Sequence, residues 1–446
     1  MQIPWFMRDE QLILTKTIPP QIRDKDSRKD LQGLLQQALY YKLTLVIAPP
    51  GYGKTTALAA WRSASRARCG WLSLDEGDDD FDTLYAYLAL TVSEAFSITV
   101  APLDYGKSQV RKRLLKRIFQ ESAMKGFVNS LADVSGQGCM IIDNCECLKG
   151  EDVLNALSFL ITYLPPQIHL VLAGRSFPDI PLESLKLRQE LLELQVPRLR
   201  LSASEIKDYL SSRDIRLAEV EYEMLRKQTE GWPYALQVWA GKYSGRTRQE
   251  GDVEIRWFYR YFKEMLFDKL SPDLQETLMA IAVPEMVCNE LYERLVRPSM
   301  VRIIKKGETL EQLATSQLFL FAHETQQSWF RFHRLFREFL VMELEISNPG
   351  QLQRLTETCV LWKLEQGYII SAIEQAVDGE LYELAAQALS DYHMALCAQG
   401  HIDVLFWGIK QLPQEHLKSY PSLFMLRGFG ALIQGQRVDE VQRMLQ

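Results

Sequence analysis

Leu43-Thr-Leu-Val-Ile-Ala-Pro-Pro-Gly-Tyr-Gly-Lys-Thr-Thr-Ala-Leu-Ala-Ala-Trp-Arg62 is the stretch that decides the fold. Leu43 to Ala48 is a short, unbroken apolar run rich in β-branched residues, which suits a strand buried on both faces. Thr55 to Arg62 reads as a helix, and a Gly/Pro turn joins the two. At such a turn consecutive backbone N–H groups converge on an anion at the helix N-terminus, so the segment is built to hold the phosphates of ATP or ADP. Pro50, Gly51, Tyr52, Gly53 and Thr56 shape the loop, with the two glycines allowing the tight turn and close approach. Lys54 is expected to reach the β- and γ-phosphates and Thr55 to offer its hydroxyl to Mg²⁺. Ala48 stands where the usual pattern has a first glycine. A chance Gly-rich turn is the plain alternative, and the strand running in and helix running out argue against it.

Three more apolar runs extend the pattern: Cys69 to Leu74, Gly138 to Asp143, and Ile168 to Ala173. Strands alternating with helical segments imply a parallel sheet covered on both sides, with a ligand at the carboxyl ends of the strands. A phosphate site of this class needs an acid at the end of a neighbouring strand to hold magnesium, and Asp143 ends one. Asn144 follows, where hydrolytic relatives carry a second acid, so slow hydrolysis is expected; Glu146 is a stand-in of undetermined direction. Arg175 directly follows the fourth strand, where its guanidinium would meet a γ-phosphate; a surface arginine in a loop is the alternative. Lys54, Asp143 and Arg175 are thus the candidates for chemistry, and Thr55 and Asp143 for the metal.

Beyond about Pro197 the strand signals stop. Ser202-Ala-Ser-Glu205 reads as a capping box opening a helix, and Gly241 to Gly251 as a polar linker. Ser271-Pro272 starts another helix. Leu318 to Glu324 and Trp329 to His333 flank the polar turn Thr325 to Ser328, a hairpin between helices and hence a winged-helix shape. From Pro349 the chain reads as helix pairs, a TPR-like repeat expected to continue past residue 446. The fold class is therefore multidomain α/β plus α. Its expected parts are a P-loop domain over 1–197, a helical domain over 198–245, a winged helix over 246–345, and a helical arm opening a superhelix over 346–446.

Composition narrows the class. The 446 residues are 47% hydrophobic and 24% charged, too long for one ordinary core and ordinary for a soluble protein. No apolar run spans a bilayer and the start lacks the order of a signal peptide, so the cytoplasm is the expected location, with no membrane partner. Seven cysteines are an odd, scattered set, and Cys145 and Cys147 read as apolar or loop residues rather than metal ligands. The net charge of −6 argues against DNA binding by this chain alone. The basic cluster from Lys107 to Arg117 reads as one solvated helix face.

The motifs together resemble the MalT-like group of signal-transduction ATPases with numerous domains, regulators that typically end in a LuxR-type DNA-binding domain. The matching segments are Ala48 to Thr56, Gly70-Trp-Leu-Ser-Leu-Asp-Glu-Gly-Asp78, Ile141-Ile-Asp143, Leu172-Ala-Gly-Arg175, Thr229-Glu-Gly-Trp-Pro233 and Phe330-Arg-Phe-His-Arg-Leu-Phe336. Lys16 and the stretch from Pro19 to Arg28 resemble the group's lead-in. The resemblance implies that Pro233 packs against adenine and that His333 touches the β-phosphate of ADP, holding the protein shut. Without it, a core histidine among aromatic neighbours is the better reading of His333. It further implies a switch in which ATP and an inducer, bound by repeats beyond residue 446, permit self-association. A P-loop motor or kinase, and a non-hydrolysing scaffold, are the competing classes.

Overall fold

A computed structural model of the chain describes residues 12–22, 28–101, 103, 109–243, 252–296, 309–316, 318–323, 326 and 328–433. Two compact units divide it: Met1–Glu254 with Thr315–Leu318, and Ile255–Ala314 with Phe319–Gln446.

The first unit is organised by five parallel strands: β1 (Leu43–Ile47), β2 (Arg68–Ser73), β3 (Gly138–Asp143), β4 (Ile168–Gly174) and β5 (Leu191–Leu194). Their order across the sheet is β2-β3-β4-β1-β5. Every residue of β1, β3 and β4 is buried, as expected of strands covered on both faces. One face packs Leu45, Leu72, Met140, Ile142 and Leu172 into a core with Leu84, Leu88, Phe127 and Leu160 from the crossover helices. The alternate positions Val46, Trp71, Ile141 and Val171 are buried too. Each such side chain contributes roughly 1.5 to 3 kcal/mol, against about 1 kcal/mol for a typical hydrogen bond. Apolar burial thus holds the sheet, and the polar contacts at its carboxyl edge serve to position groups.

That edge is level. Ile47 pairs with Gly174 and Asp143 with Ala173, so β1, β3 and β4 release their chains at one height. β4 lies between β1 and β3, which places Asp143 one strand further from the loop than a neighbouring strand would. β5 was not foreseen: Leu191-Leu-Glu-Leu has no β-branched residue and reads as helix former, yet it pairs with β1 from Leu43↔Leu191 to Val46↔Leu194.

The acidic loop after β2 ties separate segments together. Lys16, in a short turn over Leu14–Thr17, places its ammonium 2.7 Å from carboxylate oxygens of both Asp75 and Asp78. Asp79 accepts N–H groups of Lys149 and Gly150 at 2.9 and 2.8 Å, fixing the loop that follows β3. Of the basic cluster, residues 104–108 and the side chains of 109–115 lie outside the described residues; Lys116 pairs with Asp152 at 2.7 Å. After β5 come helices Ala203–Ser211, Glu219–Thr229 and Pro233–Tyr243. The first opens with the capping box expected of Ser202 and Glu205. Gly241 to Tyr243, read as the start of a linker, are instead the last turn of a helix, and residues 244–251 lie outside the described residues.

In the second unit, β6 (Val287–Cys288), β7 (Leu320–Ala322) and β8 (Trp329–Phe332) form an antiparallel sheet ordered β6-β8-β7. It sits among helices Pro272–Ile281, Asn289–Val296 and Arg334–Ser347, as in a winged helix. Ser271 caps the first of them, with Pro272 at its start. Phe262, Phe319, Phe336 and Phe339 interlock at centroid distances of 5.0 to 5.8 Å. Among the described residues, six helices from Pro349 to Ile433 continue the unit, and no helix of the described residues is long and apolar enough to cross a membrane.

Candidate functional site

The turn after β1 owes its shape to two glycines. Gly51 and Gly53 have φ of 80° and 74°, the left-handed region that other residues adopt only with strain. Gly53 is also the N-cap of helix Lys54–Ala64, and no side chain caps that end. The helix therefore presents N–H groups with no side-chain acceptor, the arrangement that attracts an anion. Lys54 folds back across the loop and donates to the carbonyls of Ala48 at 2.7 Å and Pro49 at 3.2 Å. Burial pushes its ammonium down to about 8; Glu146 and Asp143 partly offset this and Arg175 adds to it. A cation buried against carbonyls, with carboxylates near but not bonded to it, fits a phosphate ligand.

Thr55 donates from Oγ1 to Asp143 Oδ2 at 2.7 Å, so helix and β3 meet through the two residues expected to hold a metal. Asp143 is buried, which raises its carboxyl above the ordinary carboxylate range, while the Thr55 hydroxyl and the Lys54 charge pull it back. Among the described residues no group of three His, Cys, Asp or Glu side chains converges on a metal position. A hydroxyl plus one carboxylate is nonetheless what magnesium takes from a protein when phosphates and water supply the rest. Cys145 and Cys147 are free and form part of a short turn over Cys145–Cys147.

Asn144 has φ of 61°. Its side-chain amide donates to the Leu74 carbonyl at 3.1 Å, so it braces the neighbouring strand. Glu146 takes the direction the sequence left open: its Oε2 accepts the Arg175 backbone N–H at 3.1 Å, and its Oε1 lies 3.6 Å from Arg175 Nε. Arg175 does stand at the carboxyl end of β4, half-exposed, with that carboxylate beside it.

The segment around Gly231-Trp232-Pro233 docks on the loop from the other side. Trp232 is fully buried and donates from Nε1 to the Pro50 carbonyl at 3.1 Å. The Tyr234 N–H donates to the Gly51 carbonyl at 3.1 Å. Buried Tyr52 places its ring 6.4 Å from that of Trp232. Beside the loop opens a cavity of about 410 Å³, lined in part by Gly51, Gly53, Thr56, Arg28, Tyr209, Pro233, Tyr234 and Gln237. Lys54, Thr55, Asp143, Arg175 and Pro233 thus gather around one loop. Arg28, Tyr209, Tyr234 and Gln237 were not foreseen. Arg28 is buried and donates to the Tyr52 carbonyl at 3.2 Å; only its place in the lead-in hinted at it, and Tyr234 merely adjoins a motif.

His333 lies in the second unit, buried at the N-cap of helix Arg334–Ser347. Its Nδ1 accepts the Leu335 N–H at 3.3 Å, its own N–H donates to the Phe319 carbonyl at 2.7 Å, and its ring meets that of Phe319 edge-on. Of the wing turn, Thr325 and Gln327 lie outside the described residues.

Residues 263–352 match the family model of the MalT winged helix domain. Over 443 residues the chain is 28% identical to the HTH-type transcriptional regulator MalT of Vibrio campbellii, covering 96% of this chain and 47% of that protein. Over nearly its whole length the chain is similar to MalT. The MalT of Serratia proteamaculans agrees at 26% identity over 444 residues, with the same coverage. The chain spans about half the length of the curated relatives it matches, 47% in both cases. A Walker-type ATPase of Pyrococcus abyssi is 15% identical, with a TM-score of 0.47 over 72% of this chain and 98% of its own. The first unit has the strand order and loop geometry of the P-loop fold.

Proposed function

We propose that this MalT-like chain is the nucleotide-operated switch of a transcription regulator, holding ADP in a closed resting monomer and self-associating with ATP and an inducer. The observation that carries the reading is the loop itself: Gly51 and Gly53 in the left-handed region, a buried Lys54 on carbonyls, and Thr55 joined to Asp143. In this reading the N–H groups of the loop and Lys54 hold the phosphates, Thr55 and Asp143 hold Mg²⁺, and Arg175 contacts a γ-phosphate. Magnesium would neutralise phosphate charge there. Pro233 would pack against adenine in the cavity beside the loop, and His333 would hold the β-phosphate of ADP. In this reading the loop belongs to a domain over 1–197, Pro233 to one over 198–245 and His333 to one over 246–345. Hydrolysis is slow at most, because the Asn144 amide is committed to Leu74 and supplies no second acid. The names of the relatives support a role in transcription; specific DNA binding is not expected of this chain by itself. The test is to denature the purified protein and chromatograph the supernatant. ADP in near-stoichiometric amount is expected. Protein that carries no nucleotide and takes up neither Mg·ADP nor Mg·ATP would sink the reading.

A further inference from the structure

Glu146 is no part of the loop's signature, yet its carboxylate lies among the loop's cations. Oε2 accepts the Arg175 N–H at 3.1 Å and Oε1 is 3.6 Å from Arg175 Nε. Of the charged groups acting on Lys54, Glu146 exerts the largest effect. The carboxylate is also seated. A Cβ at Gly174 would stand 2.6 Å from Oε2 and 2.8 Å from Cys145 Sγ, so only glycine lets Glu146 lie there. Its side chain keeps just 20% of its surface exposed. Asp79 holds the far end of the same loop through two backbone N–H groups.

We propose that Glu146 is a specificity-determining residue that biases the site toward a nucleoside diphosphate over a triphosphate, by occupying Arg175 and setting a negative charge where a third phosphate needs cations. The proposal rests on the phosphate-loop reading above. A diphosphate can use the loop N–H groups and Lys54 while the Glu146–Arg175 pair persists. A triphosphate must draw Arg175 from its carboxylate and approach that carboxylate, a like charge. A ligand shifts an equilibrium only through such a difference between states, and charges this close change a protonation or binding equilibrium by roughly tenfold or more.

The test is calorimetry on the full chain with magnesium and, separately, ADP and a β,γ-imido ATP analogue. Glu146→Gln keeps an oxygen for the Arg175 N–H and removes the charge. Its affinity for the analogue relative to ADP should rise about tenfold. Glu146→Asp keeps the charge and draws it back one methylene, so it should move the ratio the same way by less; it serves if the glutamine variant does not fold. A ratio unchanged within about twofold in the glutamine variant, with both nucleotides bound, overturns the proposal. So does loss of hydrolysis at an unchanged ratio, which would make Glu146 a base. Wild-type protein that binds neither nucleotide overturns the phosphate-loop reading itself, and the proposal with it.

Discussion

The phosphate loop and the turn at His333 both place a polar side chain inside a folded unit, but by opposite means. Around the loop the partners come from far along the chain: Arg28 before it, Asp143 on β3, Trp232 and Tyr234 on a later helical segment. Lys54 has three donors, and the two carbonyls it reaches are those of its own loop. His333 is seated by its immediate surroundings, capping the helix it begins and stacking edge-on against Phe319. A loop held by remote segments beside a cavity is arranged for something that enters it. A group used as a cap already has a role in its helix, so its ligand role needs a test that a cap would fail.

The largest effect is expected at Lys54. Lys54→Ala deletes the contact to the β-phosphate of ADP, worth roughly 1.5 to 3 kcal/mol, so ADP affinity should fall about ten- to a hundredfold. Thermal unfolding should barely change, since apolar burial holds the sheet. Undiminished ADP affinity by calorimetry would move the site elsewhere.

Gly51→Ala tests whether the remote docking is as tight as described. Its φ is 80°, and a Cβ would lie 2.8 Å from both Trp232 Nε1 and Tyr234 Cβ. Strain and overlap together should cost roughly 2 to 4 kcal/mol in urea denaturation. Gly136 supplies the control, with φ of 77° and nothing within 4 Å, so its alanine should cost only about 1 kcal/mol. Equal losses at the two glycines would mean that the loop and the Trp232 segment are not packed together.

His333→Ala removes the cap, about 1 kcal/mol, and, if the histidine holds ADP, weakens that nucleotide by about tenfold or more. His333→Asn separates the two roles, because asparagine caps well. Restored stability with ADP still loosened, and greater self-association with ATP by light scattering, is the expected outcome. Full recovery of both would leave His333 a cap and nothing more.

The smallest effect concerns Lys16 and Asp75. Hydrogen bonding to Lys16 holds the Asp75 carboxyl below its ordinary value of 3.8. A depressed carboxyl stabilises above 3.8 and loses that contribution as the pH falls through its lowered value. The gap in melting temperature between wild type and Lys16→Met should therefore be level near neutral pH and shrink only in strong acid. A gap that shrinks between about pH 7 and 5 would point to another group.

What the sequence made legible follows the same division between near and far. The apolar runs that became β1, β3 and β4 were plain because strands buried on both faces show no alternation to misread. The caps at Ser202 and Ser271 were plain because their partners lie within a turn. β5 was hidden because Leu191-Leu-Glu-Leu owes its conformation to β1, a tertiary effect that local propensity opposes. Glu146 could be named but not aimed, since its direction depends on Gly174, which ends β4, and on Arg175, which follows it. Arg28 and Tyr209 carried no local sign of the cavity they line.

The bond from Trp232 to the Pro50 carbonyl spans 182 residues, and that span orders events on the ribosome. Chains lengthen by roughly 5 to 20 residues per second, so the last residue of the parallel sheet, Leu194, emerges about 2 to 8 seconds before Trp232, and the first strand well before that. During that interval the nascent sheet can pair its strands but lacks one wall of the cavity. A nucleotide would then have little to stabilise until Tyr234 is out, and the last step in completing the loop and the cavity beside it is the docking of one short helix.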